Sequence, residues 1–476
     1  MVEPIVVIGA GPAGISAAWQ LAKRGIPVEV IEQDSVVGGL AKTISHRAGL
    51  RYDYGPHTFH IRETESSRRV VSEVQSLLNG QYRVLDRGTR LFLKGNYFVY
   101  PPEMSEVVRK VSPRLGLRIG WDYMYAALRY AINPAKQEDS FEDWGVRNLG
   151  RTLYDTFFGL YSEKVWGISM SQVSSRQAQR VAKLNLKNIM LRMFRFKADP
   201  DTYFIQYFYP CDGIGTLYQR MAEEVRASGG MVHLNATATR IVTAGQKVRA
   251  VAFEQAGKER VIPCHGLVST LPLSVVTPMF APVLSPTTLE MADKLDYCSL
   301  ILSYLVINRP RVTDYHWCYL IDPEFKCNRF SEQKNVSPDL LPRDKTVLCV
   351  ETSCRYEDDR WRTTDNDLGQ MAVTDLLQMG ILRSGNVEEH FVTRIRNAYP
   401  IYRLGFERVL YALLSELHQV RNFYTIGRHG LFMNNSMDDN VEMGMRVAEH
   451  IAEREAREAW WQSVLRWTQL EGVEAL

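Results

Sequence analysis

The sequence predicts an α/β protein, and three stretches carry that prediction. The first, Ile5 to Glu32, reads IVVIGAGPAGISAAWQLAKRGIPVEVIE: an apolar strand, a turn with Gly9, Gly11 and Gly14, an alanine-rich helix stopped at Gly25, and a second strand ending on Glu32. That is a complete βαβ unit of the Rossmann-like, dinucleotide-binding kind. The second, Met104 to Met193, repeats apolar residues at three- and four-residue spacing and reads almost wholly as helix, with Pro113, Pro134 and Asn148-Leu149-Gly150 as breaks. The third, Tyr297 to Val392, holds the runs LILSYLVIN, WCYLID and TVLCVET, which suit an antiparallel sheet. The expected architecture is a Rossmann-like nucleotide domain, a helical cap insertion and an antiparallel-sheet substrate domain.

The glycines of the first unit have separate tasks. Gly9 makes the tight turn, Gly11 leaves room for a pyrophosphate, and Gly14 lets helix and strand approach, while the helix N-terminus offers free N–H groups to phosphate. Glu32 stands where a carboxylate can hold an adenosine ribose. A glycine-rich turn without a ligand is the plainer alternative. Val37-Gly38-Gly39-Leu40 follows at once. This double glycine resembles the second phosphate-side loop of glutathione-reductase-like and amine-oxidase-like flavoproteins. The resemblance implies a glutathione-reductase-like FAD-binding domain, with Gly38, Gly39 and Leu40 as further cofactor contacts. No cysteine or histidine sits in an obvious flavin-linking motif, so the FAD is expected to be non-covalent.

The rest of the composition excludes more than it selects. With 476 residues, 45% hydrophobic and 23% charged, the chain has enough length for two or three packed units. Its 57 basic and 54 acidic residues leave a net charge of +3, which gives no support to a nucleic-acid partner. The 7 cysteines are scattered and contain no CxxC pair, so neither a disulfide framework nor a metal site is expected, and a reducing cytoplasm fits best. No stretch is long and apolar enough for a membrane span, and the first strand starts too early for a signal peptide to precede it.

In chain order, Arg62 to Leu85 reads as helix, and Tyr82 to Tyr100, with Gly88 and Gly95, as a hairpin. YFIQYFYP at Tyr203 to Pro210 is strongly β-forming, and Gly213 to Ala227 is an amphipathic helix. Val232 to Ala252 alternates as a strand pair and resembles the pair that carries an adenine contact in these flavoproteins, near Ala238. His265 to Leu273 resembles the strand beneath the flavin, and Phe423 to Ile451 reads as strand, loop and helix. The expected boundaries are therefore 1–65, 203–275 and 413–452 for the FAD-binding domain, 66–202 for the cap, 276–412 for the substrate sheet and 453–476 for a helical tail. In that tail, Trp460, Trp461 and Trp467 at helical spacing are expected to pack against the body or a partner.

Six blocks, YGPHTFH from Tyr54, LFLKGNYFVYPPEMSE from Leu91, LYDTFFGLYSEKVWGIS from Leu153, YFIQYFYPCDGIGTL from Tyr203, FKCNRFSEQKN from Phe325 and IGRHG from Ile426, occur in order along the chain. Together they make it resemble the UDP-galactopyranose mutases, of the amine oxidase and protoporphyrinogen oxidase-like FAD superfamily. The resemblance implies His57, His60 and Arg428 as catalytic groups at the flavin. It also implies Gly427, Arg428 and Asp438 as further cofactor contacts, and Tyr161, Trp166, Tyr207, Arg329 and Tyr399 as substrate contacts. Each has a bland alternative: the histidines as satisfied hydrogen-bonding groups, the aromatics as core. The chain also departs from the family. Tyr297-Cys298-Ser299-Leu300 stands where the mutases carry a pyrophosphate-binding arginine, and the mobile-loop region, Asn185 to Asp201, is differently composed, with Arg192 or Arg195 as its candidate. Arg329 and Lys334 are the alternative sources of positive charge.

Two functions follow. One is a flavin-dependent isomerase that interconverts ring sizes of a nucleotide sugar through N5 of reduced FAD, with NAD(P)H the candidate reductant and a homodimer the candidate assembly. The other is an FAD-dependent oxidoreductase of amine oxidase or protoporphyrinogen oxidase type, which the loss of arginine at Cys298 favours. A flavoprotein serving only as a binding or electron-carrying module is the non-enzymatic alternative to both.

Overall fold

The computed structural model describes residues 3–46, 49–100, 106, 109–110, 112–132, 140–178, 206–280 and 284–473. At its centre, β1 (Ile5–Ile8) is buried along its whole length, as the unbroken apolar run IVVI requires of a strand covered on both faces. It leads into α1 (Pro12–Lys23), where Pro12 occupies the first turn, the helical position that needs no N–H. The chain returns through Gly25, whose φ of +72° ends the helix, into β2 (Val28–Ile31). The parallel sheet runs, in spatial order, Met231–His233, β2, β1, Gly266–Ser269, Phe423–Thr425. Three separated stretches of chain thus share one sheet.

Close packing of α1 holds those stretches together. A Cβ on Gly14 would sit 1.9 Å from the carbonyl oxygen of Gly9, and one on Gly444 would sit 2.5 Å from that of Ala13. The C-terminal helix Met437–Glu453 therefore lies backbone against backbone on α1. Its own start is secured by a capping box between Ser436 and Asp439. The tail helix Arg457–Thr468 packs Trp460, 2% exposed, against Tyr424, His450 and Trp467.

The second large element is a seven-stranded sheet in the order Val387–Ile401, Asp296–Ile307, Thr346–Cys354, Arg329–Glu332, Trp317–Leu320, Thr89–Leu93, Asn96–Val99. All pairs are antiparallel except Trp317–Leu320 with Thr89–Leu93. The sheet therefore takes two strands from the 66–202 stretch. The Tyr82 to Tyr100 hairpin is corrected accordingly. Its turn lies at Lys94 and Gly95, between Thr89–Leu93 and Asn96–Val99, while Tyr82–Asp86 pairs instead with Gln206–Pro210. Alternation alone could not choose among those partners.

Helices of the 104–193 stretch include α2 (Pro113–Ile132), Phe141–Leu149 and α3 (Leu160–Trp166). Pro113 opens a helix rather than breaking one, and the break expected at Gly150 falls there, at φ +77°. The mobile-loop candidates Arg192 and Arg195 lie outside the described residues.

Gly444→Ala tests the α1 contact. The added methyl meets backbone that cannot rotate away, so the urea midpoint should fall by an amount equivalent to about 1–3 kcal/mol.

Candidate functional site

The glycine turn after β1 separates into structural and vacant positions. Gly9 has φ +91°, and a Cβ there would lie 2.2 Å from Thr270 Oγ1, so the chain itself demands glycine. Gly11 is different: its φ is −69°, and a Cβ would meet nothing nearer than Gly39 Cα at 3.9 Å. Gly39 faces it, and Gly38, left-handed at φ +112°, donates its N–H to the Ala10 carbonyl at 2.8 Å. Two glycine loops thus frame an open cradle at the N-terminus of α1. That opening fits the phosphates of a dinucleotide.

Glu32, 5% exposed, accepts the Ala10 N–H on Oε2 at 2.6 Å and the Asp34 N–H on Oε1 at 2.9 Å. Burial pushes its carboxyl above the ordinary range, and the two N–H groups pull the other way. It therefore braces the cradle turn before any ribose is considered. Leu40 lies in the short turn Gly39–Ala41, half-buried against the core. Ala238 is buried on the strand Ala236–Ala244, which the Ala236 N–H ties to the Glu32 carbonyl at 2.9 Å. Gly427 has φ +85°, a Cβ added there would lie 3.1 Å from the Ala13 methyl, and the Arg428 N–H donates to Asn440 Oδ1. Asp438 is buried and paired with Arg62 at 2.8 Å, with Nδ1 of His60 3.6 Å away.

Beyond the cradle the structure gathers aromatics around guanidinium groups. Arg329 and Glu351 are cross-strand partners, joined by two parallel bonds of 2.5 and 2.7 Å. Burial opposes the charge of Arg329, but Glu351 and nearby tyrosines outweigh it and hold the guanidinium protonated. Arg329 lies 5.6 Å from the Tyr319 ring, against which Tyr161 packs edge-on at 5.9 Å. Trp166 packs edge-on against Tyr399 at 6.2 Å, and Arg428 stacks over that ring at 4.9 Å while donating to the Asn435 carbonyl at 2.6 Å. Tyr207 lies between His60 at 5.5 Å and Trp317 at 5.7 Å.

His57 donates Nδ1–H to the Gly55 carbonyl at 3.1 Å in the tautomer that leaves Nε2 an acceptor. Shielding from water pushes its pKa down to about 4, and the charges of Arg428 and Arg329 push the same way. Both arginines therefore bear on one neutral imidazole.

Several residues escaped the sequence reading. Glu351 carried no motif of its own, and neither did Arg87, which lies 4.5 Å over Tyr100 beside Tyr319. Lys164 of the YSEKVWG block binds the Leu320 and Asp322 carbonyls at 3.0 and 3.2 Å, tying α3 to the sheet. Lys334 is a correction: its ammonium donates to the carbonyls of Pro342, Arg343 and Lys345, so it staples a loop. Cys298, opposite Tyr399 across the sheet, gives its Sγ–H to the Val165 carbonyl.

A family model described as flavin containing amine oxidoreductase matches residues 12–452. The chain belongs to that family. Membership points to a flavin cofactor, and the Gly11–Gly39 cradle fits its phosphates. Within the wider group it is similar to a probable UDP-galactopyranose mutase of Klebsiella pneumoniae, 25% identical over 232 residues, which is 46% of this chain and 52% of the relative. It is similar also to a dTDP-fucopyranose mutase of Escherichia coli, 24% identical over 221 residues, 46% of this chain and 53% of that one. The chain thus spans about half the length of these curated relatives. A crystal structure of reduced UDP-galactopyranose mutase superposes with a TM-score of 0.82 at 20% identity, covering 100% of this chain and 98% of that one, which shows the α/β fold of the FAD-dependent oxidoreductases.

Two expectations test the site. Gly11→Ala should leave the melting temperature of flavin-free protein unchanged but weaken FAD binding at least about tenfold, whereas Gly14→Ala should lower that melting temperature, because only Gly14 has backbone in the way. Glu351→Ala should destabilise the fold by about 3–5 kcal/mol in urea, and the double change with Arg329→Met should recover much of the loss, since the single variant strands a buried charge.

Proposed function

We propose that this chain is a flavin-dependent isomerase of a nucleotide sugar, acting as the mutases it resembles. The observation that carries the reading is the charge around His57. Arg428, which stacks over Tyr399 and donates to the Ala398 and Asn435 carbonyls, brings positive charge to it, while the Arg329 charge is balanced by Glu351. Such a pocket attracts a diphosphate and repels a protonated amine.

In this reading Gly9, Gly11, Gly14, Glu32, Gly38, Gly39, Leu40, Ala238, Gly427, Arg428 and Asp438 hold FAD in a glutathione-reductase-like arrangement. When bound and reduced, for which NAD(P)H is the candidate donor, FAD would supply the nucleophile, so the residues here need not include a strong base. Tyr161, Trp166, Tyr207 and Tyr399 enclose the base and sugar. Arg428 holds its planar fork against the Asn435 carbonyl and the Tyr399 ring, which fixes its charge in place. Neutral His57 orients a hydroxyl through Nε2 and gives up no proton. Arg87, beside Tyr100, serves as the cation for the distal phosphate in place of the arginine absent at Cys298.

Cys298 itself favours the second reading, an FAD-dependent oxidoreductase acting on a substrate that carries no diphosphate. The deciding experiment incubates dithionite-reduced holoenzyme with UDP- and dTDP-sugars and assays ring isomers. Turnover is expected, and Arg428→Lys should reduce it by about ten- to a hundredfold with normal FAD content. Because His57 is already neutral above about pH 4, its titration should add no acid limb to the rate between about pH 5 and 8. No turnover of any nucleotide sugar, together with flavin bleaching by an uncharged donor, would establish the second reading.

A further inference from the structure

α2 is apolar on both sides. Inward, Leu115, Ile119 and Tyr123 pack on the Thr89–Leu93 hairpin and the neighbouring helices, and Asp122 accepts the Thr152 N–H at 3.1 Å, which fixes the helix to the body. Outward, Leu117, Trp121, Met124, Tyr125 and Leu128 are 76%, 69%, 62%, 60% and 63% exposed. Their spacing of three, four and seven places them in one stripe. No such stripe is needed for folding, since the inward face already makes the core contact. Together the five side chains form one exposed apolar face of the kind that marks an interaction surface rather than scattered surface residues.

Charge decides what covers this face. Its exposed positions include Arg114, Arg118 and Arg129, which lie along one flank of the stripe, and no carboxylate. A second copy docked antiparallel on the same stripe would set arginine against arginine. An anionic lipid surface matches every feature: leucine and methionine enter the acyl boundary, tryptophan and tyrosine sit at headgroup depth, and the arginines meet phosphate. No described helix is long and apolar enough to cross a membrane, so α2 would lie in the plane of the interface. We propose that α2 docks this enzyme on anionic membrane surfaces.

The test is co-sedimentation of the holoenzyme with vesicles of phosphatidylcholine alone or mixed equally with phosphatidylglycerol. Pelleting with the mixed vesicles is expected, with binding at least about tenfold weaker to phosphatidylcholine alone and weaker in high salt. Leu117→Glu combined with Trp121→Glu should abolish pelleting, and Arg114→Gln, Arg118→Gln and Arg129→Gln together should remove the preference for phosphatidylglycerol. Because these side chains are exposed, flavin content should be unchanged in both variants. Wild-type protein that stays in the supernatant with mixed vesicles overturns the proposal. So does a wild-type dimer that the Leu117→Glu and Trp121→Glu pair converts to monomer, which would assign the stripe to a second copy.

Discussion

The structure depends on how closely backbone approaches backbone around α1. Gly9 meets Thr270, Gly14 meets the Gly9 carbonyl, Gly427 meets Ala13, and Gly444 meets Ala13 and Ala17. At Gly9, Gly427 and Gly444 a single methyl group would press on a stretch far away in sequence, and at Gly14 it would press on the β1 turn itself. The β1 turn, Thr270 just past the Gly266–Ser269 strand, and the Met437–Glu453 helix meet around α1, so the shape of the glycine cradle rests on contacts among all three. The binding site and the fold of the parallel sheet are then one cooperative unit. Gly11 and Gly39 are the exceptions within it, since the space between them is left to the ligand.

The aromatic cluster beyond the cradle is organised by charge. A guanidinium placed among tyrosines would be costly if unpaired, and the two parallel bonds from Glu351 offset that cost for Arg329. The pair is net neutral, so the positive charge left to the pocket is that of Arg428, whose guanidinium donates to the Ala398 and Asn435 carbonyls. His57 responds to the result: burial above all, with positive charge nearby, keeps its imidazole neutral and Nε2 an acceptor across the physiological range. His60, Arg62 and Asp438 run from this pocket to the first turn of the C-terminal helix, so the aromatic cluster and the cofactor cradle share one polar seam.

Most elements were legible because their signals are local. The βαβ unit spans under thirty residues, and every position that makes it recognisable lies in that span. The strands Asp296–Ile307 and Thr346–Cys354 announced themselves as long apolar runs, since a strand covered on both faces needs no polar alternation. What could not be read was pairing. Thr89–Leu93 looks like one arm of a local hairpin, and it is that, but its other edge joins Trp317–Leu320 more than two hundred residues on.

The amino-acid sequence by itself determined the cradle: glycine at fixed intervals after an apolar strand dictates turn, approach and helix start through short-range sterics alone. It also determined which residue types were available to the site. Only the tertiary structure decided what each charge does. Arg329 and Lys334 lie five residues apart and look equivalent in the chain, yet one lies across from Glu351 in the aromatic pocket and the other is wrapped by three loop carbonyls. Arg87 and Glu351 carry no motif, and gain their meaning from Tyr100 and Arg329, which long-range packing brings beside them. The physical reason is that a glycine's task is set by its own φ, ψ and neighbours in sequence, whereas an ion's task is set by whichever counter-charge or carbonyl the fold places within about 3 Å of it.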